Sequence, residues 1–335
     1  MFSRSQATKT VIVLAAVAIW TASQPVLGHA STWKKLAPAT APKARAYAAM
    51  AYDPVSKKVV LFGGYDSIGA DLNDTWTFDG ATWTKVKTAV APPVRAAVTM
   101  AFDKRVNKLV MFGGFDSVTQ TYLQDTWVWD GATSTWAQVK MKTSPPAGSG
   151  AMLFTDPHTG NAMMFGGYNA RNKIPAYHTT WRLTGTGWQK LHPKTIPIPR
   201  GWGVAWLDSK RNNVIMTGGD GDTIRTDNTW IWDGGNWTQQ FPATQIQATV
   251  GSGYAFDPEV QAVVVFGGFG KQTGDTNETW EWSGSNWVIL NPTKLPSARE
   301  GVGMAYDPTS QQTLMFGGQL ANGNLLHDTW LLTGR

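Results

Sequence analysis

Six times along the chain a short apolar run ends in a pair of glycines: VVLFGG at Gly64, LVMFGG at Gly114, AMMFGG at Gly167, VIMTGG at Gly219, VVVFGG at Gly268 and TLMFGG at Gly318. The spacings are 50, 53, 52, 49 and 50 residues. After each pair stands a Thr-Trp, at Trp76, Trp127, Trp181, Trp230, Trp280 and Trp330. In five units a turn and a second Trp follow, at Trp83, Trp136, Trp188, Trp237 and Trp287. A repeat of this period implies stacked supersecondary units that bury their apolar faces against one another.

Each unit reads as four β segments. The first is a small-residue strand ending in Asp, such as RAAVTMAFD (Arg95 to Asp103) or REGVGMAYD (Arg299 to Asp307). The second is the run before Gly-Gly, apolar on successive residues and therefore buried on both faces. The third carries Thr-Trp, and the fourth starts at the second Trp. Asp53-Pro54, Asp156-Pro157, Asp257-Pro258 and Asp307-Pro308 suit Asx-type reversals between the first pair of strands. Asp79-Gly80, Asp130-Gly131 and Asp233-Gly234 are hairpin signals between the last pair. A lone four-stranded sheet cannot cover both its faces, so such units arrange radially. The sixth unit stops at TWLLTGR without a fourth strand, and Thr32-Trp33-Lys34-Lys35-Leu36 offers the missing Trp-x-x-Leu. The expectation is one all-β domain over residues 31–335: a six-bladed β-propeller with four antiparallel strands per blade, the N-terminal strand closing the last blade.

The Gly-Gly and paired-Trp pattern, carried in six registers over residues 33–335, resembles the kelch repeat. In particular it resembles secreted bacterial kelch proteins with the propeller of galactose-oxidase type. Thr217 stands where the other units carry an aromatic before Gly-Gly, and Leu183 and Leu332 replace the aromatic two residues after the first Trp; these are packing changes. Kelch propellers serve as enzymes, lectin-like binders and protein-interaction platforms, so the resemblance implies a fold and leaves activity open.

The chain contains no Cys, which excludes disulfides, thiolate metal sites, a lipoprotein anchor and a copper site built on a Cys–Tyr cross-link. With 16% charged residues it is no disordered chain. Residues 1–30 read as a secretory signal: Arg4 and Lys9, an apolar run from Val11 to Ile19, and Gly28-His29-Ala30 at the cleavage positions. That run is too short to span a bilayer as a stable anchor and no second one of spanning length follows, so a secreted or periplasmic, monomeric protein is expected. Loss of Arg4 and Lys9 takes the formal charge from +6 to +4, too mild a bias to argue for nucleic acid.

Functional candidates are residues that break the repeat. In a kelch blade, the start of strand one should rim the central channel. Aligned on the strand-end Asp, one rim position holds Arg45, Arg95, Gly148, Arg200, Thr249 and Arg299. Two residues on stand Tyr47, Ala97, Gly150, Trp202, Gly251 and Gly301, where small residues suit a crowded axis and Tyr47 and Trp202 do not. Glu300 is the one acid at its position in the repeat. Arg45, Arg95, Arg200 and Arg299 could hold an anionic ligand bidentately, or be neutralised by Asp74, Asp125, Glu278 and Asp328 on the same side, with pairing within a blade and pairing with the next blade equally matched. The residue after each Gly pair forms a further ring: Tyr65, Phe115, Tyr168, Asp220, Phe269 and Gln319. The blade-three loop from Tyr168 to His178 is the longest and holds Arg171, Lys173 and Tyr177. His178 and His327 occupy one repeat position in opposite blades, too far apart by topology to share an ion, and no metal or other cofactor is expected. Lys57, Lys104 and Lys210 gather at the opposite face with other basic residues, as a solvated face would have them.

These residues point to a non-catalytic module that binds carbohydrate or protein through the channel mouth, the arginines favouring an anionic ligand. An alternative is a sugar-active enzyme at the same mouth, similar to kelch-type sialic acid mutarotases or a polysaccharide lyase, with Glu300 moving protons and the arginines holding a carboxylate. A structural envelope protein is the third reading.

Overall fold

The computed structural model describes residues 31–173, 175–221, 225–270 and 272–334. The expected signal segment lies outside them. Among the described residues there are six four-stranded antiparallel sheets, each a blade. Blade one contains strands Ala49–Asp53, Lys58–Phe62, Thr75–Phe78 and Trp83–Val86, and the next four repeat that order. Blade six is assembled from both ends: Gly303–Asp307, Gln312–Phe316 and Thr329–Thr333 are completed by Thr32–Leu36, with Trp33 opposite Leu332. The expected closure is therefore observed strand for strand. The innermost strands pack against one another in sequence around the ring, the last against the first. No helix among the described residues is long and apolar enough to cross a membrane.

The apolar runs before Gly-Gly sit where the pattern requires. Val59, Val60, Leu61 and Phe62 are all fully buried, since one side of the strand faces the preceding blade and the other the following one. Ala49, Ala51, Val60 and Phe62 of blade one share a cluster with Met100, Leu109, Met111 and Trp129 of blade two. The core is thus a set of interblade layers.

The Thr-Trp pair and the second Trp act together. Each second-Trp indole N–H donates to the hydroxyl of the Thr preceding the first Trp in the blade before. Trp83 donates to Thr329 at 3.1 Å, Trp136 to Thr75 at 2.9 Å and Trp188 to Thr126 at 3.0 Å. Trp237 donates to Thr180 at 3.0 Å, Trp287 to Thr229 at 2.8 Å and Trp33 to Thr279 at 3.0 Å. These rings are 0–3% exposed. Burying roughly 150–250 Å² of indole at about 25 cal/mol per Å² stabilises by at most about 4–6 kcal/mol per ring, against about 1 kcal/mol for the hydrogen bond. Burial supplies the stability, and the Thr hydroxyl sets the angle at which consecutive blades meet.

Candidate functional site: the channel mouth

Six residues at the start of strand one form a ring of backbone groups around the axis. Each N–H donates to the carbonyl of its counterpart in the preceding blade: Tyr47 to Gly301, Ala97 to Tyr47, Gly150 to Ala97, Trp202 to Gly150, Gly251 to Trp202 and Gly301 to Gly251, all between 2.7 and 3.1 Å. Joining neighbours this way places every member in the left-handed region, with φ of 56° at Tyr47, 54° at Ala97, 56° at Trp202 and 63–67° at the three glycines. The conformation is free for glycine and costs about 1–3 kcal/mol for a residue with a side chain. Crowding alone had explained the small residues in the sequence; the backbone dihedral is the stronger reason. It makes Tyr47 and Trp202 residues kept against local preference.

Their neighbours make room for them. A Cβ on Gly150 would stand 2.7 Å from the Trp202 indole, and one on Gly301 2.5 Å from the Tyr47 ring. Tyr47 stacks beside Tyr65 with ring centres 6.0 Å apart, and Trp202 leans on Tyr168 at 4.9 Å. Above the ring lies a cavity of about 500 Å³ walled by Tyr47, Tyr65, Phe115, Trp202 and Phe269. Five of the expected aromatic candidates are therefore brought together, while Tyr168 supports Trp202 from the side.

Glu300 reaches this cavity from blade six, and the Tyr47 hydroxyl donates to its Oε2 at 2.6 Å. Burial raises the Glu300 carboxyl above its ordinary range; the Tyr47 hydrogen bond opposes this, nearby Asp275 adds to it and Arg225 opposes it. Tyr65, which donates to Gln319 Oε1 at 2.5 Å, is pushed up to about 12 by burial and by the charges of Glu300 and Asp71. The wall also carries Asp71, Ser117, Asp220 and Arg225. Arg225 pairs with Asp220 at 3.2 Å, donates to the Phe269 carbonyl at 2.8 Å and lies 5.1 Å from the Phe269 ring centre. Asp71, Arg225 and Asp275 had escaped the comparison because it was anchored on the strand-end Asp; each stands five residues before the first Trp of its blade and bridges to the residue after Gly-Gly. Counting back from that Trp would have found all three, whereas Ser117 has no such signal.

The arginines are not where an anionic ligand could use them, which corrects the expectation of an open ring. Arg45, Arg95 and Arg299 are 0–1% exposed and lie beneath the mouth. Each makes a bidentate pair within its own blade: Arg45 with Asp74 at 2.6 and 3.0 Å, Arg95 with Asp125 at 2.7 and 2.9 Å, Arg299 with Asp328 at 2.6 and 3.1 Å. Their remaining donors go to main-chain carbonyls, including that of the first Gly of each pair. The first-Trp indole of each blade donates to the same Asp, at 2.7 Å for Trp76, Trp127 and Trp330. Burial pushes these three carboxyls up, but the arginine hydrogen bonds and charge outweigh it and hold each below the usual range.

Arg200 is equally buried but faces Asn228 in place of an Asp. Its Nη1 donates to the Gly218 carbonyl at 3.2 Å, its Nη2 has no partner, and desolvation lowers its pKa to about 9. It too is scaffold.

The remaining candidates lie outside the site. Tyr177 donates to the Ala147 carbonyl at 2.9 Å and Arg171 to the Gln120 carbonyl, so the blade-three loop is fastened to blade two. No group of three or more His, Cys, Asp or Glu among the described residues is arranged to hold a metal ion.

Comparison with known proteins agrees with this architecture. The model of the KLHDC2/KLHL20/DRC7 Kelch-repeats domain matches residues 28–184, somewhat under half of the chain. No curated protein matches it. With the sheets described above, the match makes the fold a kelch β-propeller.

Proposed function

We propose that this propeller is an exported, monomeric, non-catalytic module that binds carbohydrate at the channel mouth. The observation that carries the reading is the retention of Tyr47 and Trp202 at left-handed rim positions where the other blades hold Gly or Ala. Aromatic rings stack on the C–H faces of pyranose rings, and the carboxylates of Glu300 and Asp71 can accept sugar hydroxyls at the edge of such a stack. A mouth of about 500 Å³ has the volume of an ordinary small-ligand site. The enzymatic alternative needed arginines to hold a substrate carboxylate, and Arg45, Arg95, Arg200 and Arg299 are buried under the rim.

A glycan array probed with the wild-type protein and with Trp202→Gly tests this. Glycine suits the backbone at that position, so the variant removes the ring without straining the fold. Binding to one group of glycans that disappears in Trp202→Gly is the expected result. Glycan binding indifferent to the substitution, or none at all, would overturn the proposal.

A further inference from the structure

The charges around the mouth say more about the ligand than the rings do. Among the described residues the cavity wall carries three acids, Asp71, Asp220 and Glu300, and one cation, Arg225. Arg225 is already engaged by Asp220, by the Phe269 carbonyl and by the Phe269 ring. No Lys, Arg or His among the described residues forms an ion pair with Glu300 or Asp71. Among the described residues the one side-chain group donating to Glu300 is the neutral Tyr47 hydroxyl. Asp275, behind this wall, has a buried carboxylate oxygen with no hydrogen-bond partner and adds to the negative potential felt by Glu300 and Tyr47. Beneath the rim the charges of Arg45, Arg95 and Arg299 are cancelled by Asp74, Asp125 and Asp328, and Arg200, which forms no ion pair among the described residues, is fully buried.

We propose that the mouth is selective for a cationic, amine-bearing sugar, its ammonium group seated against Glu300 among the faces of Tyr47, Tyr65 and Trp202. The inference rests on the carbohydrate reading above and narrows it. Aromatic faces carry negative electrostatic potential and attract an ammonium more strongly as water is excluded. A half-buried carboxylate without a counter-ion gains most from an ionised donor, since charge-assisted hydrogen bonds are about twice as strong as neutral ones. An acidic sugar would meet the same carboxylates with the wrong sign and find no free guanidinium among the described wall residues to compensate. The elevated pKa of Glu300 agrees with a carboxylate held in a poorly solvated, negatively charged setting.

The test is calorimetric titration of the full protein with three oligosaccharides of equal length under mildly acidic conditions that keep amines protonated. These are an unacetylated glucosamine oligomer, its N-acetylated counterpart and a galacturonate oligomer. We expect the glucosamine oligomer to bind at least about tenfold more tightly than the acetylated one, a difference of about 1.4 kcal/mol, with the uronate weakest. Glu300→Gln should erase the preference for the amine, bringing the two glucosamine oligomers to the same affinity; Trp202→Gly should weaken both. Equal binding of the acetylated and unacetylated oligomers, or a preference that survives Glu300→Gln, overturns the inference and leaves the carbohydrate reading standing. Binding of a lysine-rich peptide with none of the three sugars overturns both.

Discussion

The channel has two mouths of nearly equal size and opposite character. Opposite the site described above, a cavity of about 510 Å³ is lined by Tyr52, Phe102, Trp206, Phe256 and Tyr306, with Pro54, Pro258 and Pro308. Its aromatics stand on strand one, just before the strand-end Asp or two residues earlier, and none has a positive φ. Bulk there follows from strand propensity and burial and costs the backbone nothing. Its charged wall groups are few: Lys104, and Glu259, which accepts from the Tyr306 hydroxyl at 3.1 Å. At the functional mouth Tyr47 and Trp202 oppose their backbone, and Glu300 and Asp71 form no ion pair among the described residues. Size therefore does not distinguish the two cavities, whereas the conformation and charge of the wall do.

The largest expected effect that sharpens this contrast comes from glycine substitutions at the two mouths. Phe256 is 8% exposed and packs with Val263 and Trp280 in an interblade layer. Phe256→Gly should cost about 3–5 kcal/mol for the lost packing and up to about 1 kcal/mol more for glycine in a strand. Trp202→Gly should change stability by no more than about 1 kcal/mol, because relief of the left-handed strain offsets the lost contacts. Chemical denaturation of both variants measures this directly. Equal losses would mean that Trp202 is core and that the two mouths differ only in position.

The next effect concerns the charges under the functional mouth. Asp125→Ala strands a buried Arg95 and should cost about 3–5 kcal/mol. Asn228→Asp supplies Arg200 with the carboxylate that three other blades have and should gain about 1.5–3 kcal/mol, the range for hydrogen bonds to charged groups. Sugar binding should be the same in both variants. Loss of binding at unchanged stability in Asp125→Ala would return the arginines to the ligand site.

The smallest effect is in the pH dependence of folding. Asp74, Asp125 and Asp328 have lowered carboxyl pKa values in the fold, so their contribution is complete above the unfolded value and is lost as pH falls through the folded one. Asp71, Asp275 and Glu300 are raised, mainly by burial, so protonating them removes an unfavourable charge and stabilises the fold as pH falls through their raised values. The melting temperature should hold or rise slightly on mild acidification and then drop below the ordinary carboxylate range. Glu300→Gln should reduce the rise and leave the drop in place; a rise unaffected by that substitution would remove Glu300 from the group of uncompensated mouth acids.

Much of the architecture was legible from the residues because a repeat states each packing environment six times. The sequence alone assigns Trp33 to the last blade, since a single Trp-x-x-Leu is missing there and a single one is spare. The strand-end Asp residues announced turns that their carboxylates do cap, as Asp53 Oδ1 accepts from the Val55 N–H at 3.1 Å. The site was legible only where it interrupts the repeat. Tyr47, Trp202 and Glu300 stood out against small residues in an alignment on the strand-end Asp, whereas Asp71 and Arg225 come into register only when the blades are aligned on the first Trp, because the loops before them differ in length.

The sequence by itself determined the number of blades, their strand order and the closure, because burial on two faces and turn chemistry are local properties repeated in register. It also placed four arginines and their acids on one side of the ring, but it left pairing within a blade and pairing between blades equally matched. Only the tertiary structure decided that the pairs form within blades and lie buried beneath the rim. Only it revealed that the rim backbone is left-handed, since that conformation follows from a hydrogen-bonded ring closed across all six blades. The charge of the mouth was settled at the same level, by which side chains the fold buries in pairs and which it leaves facing the cavity.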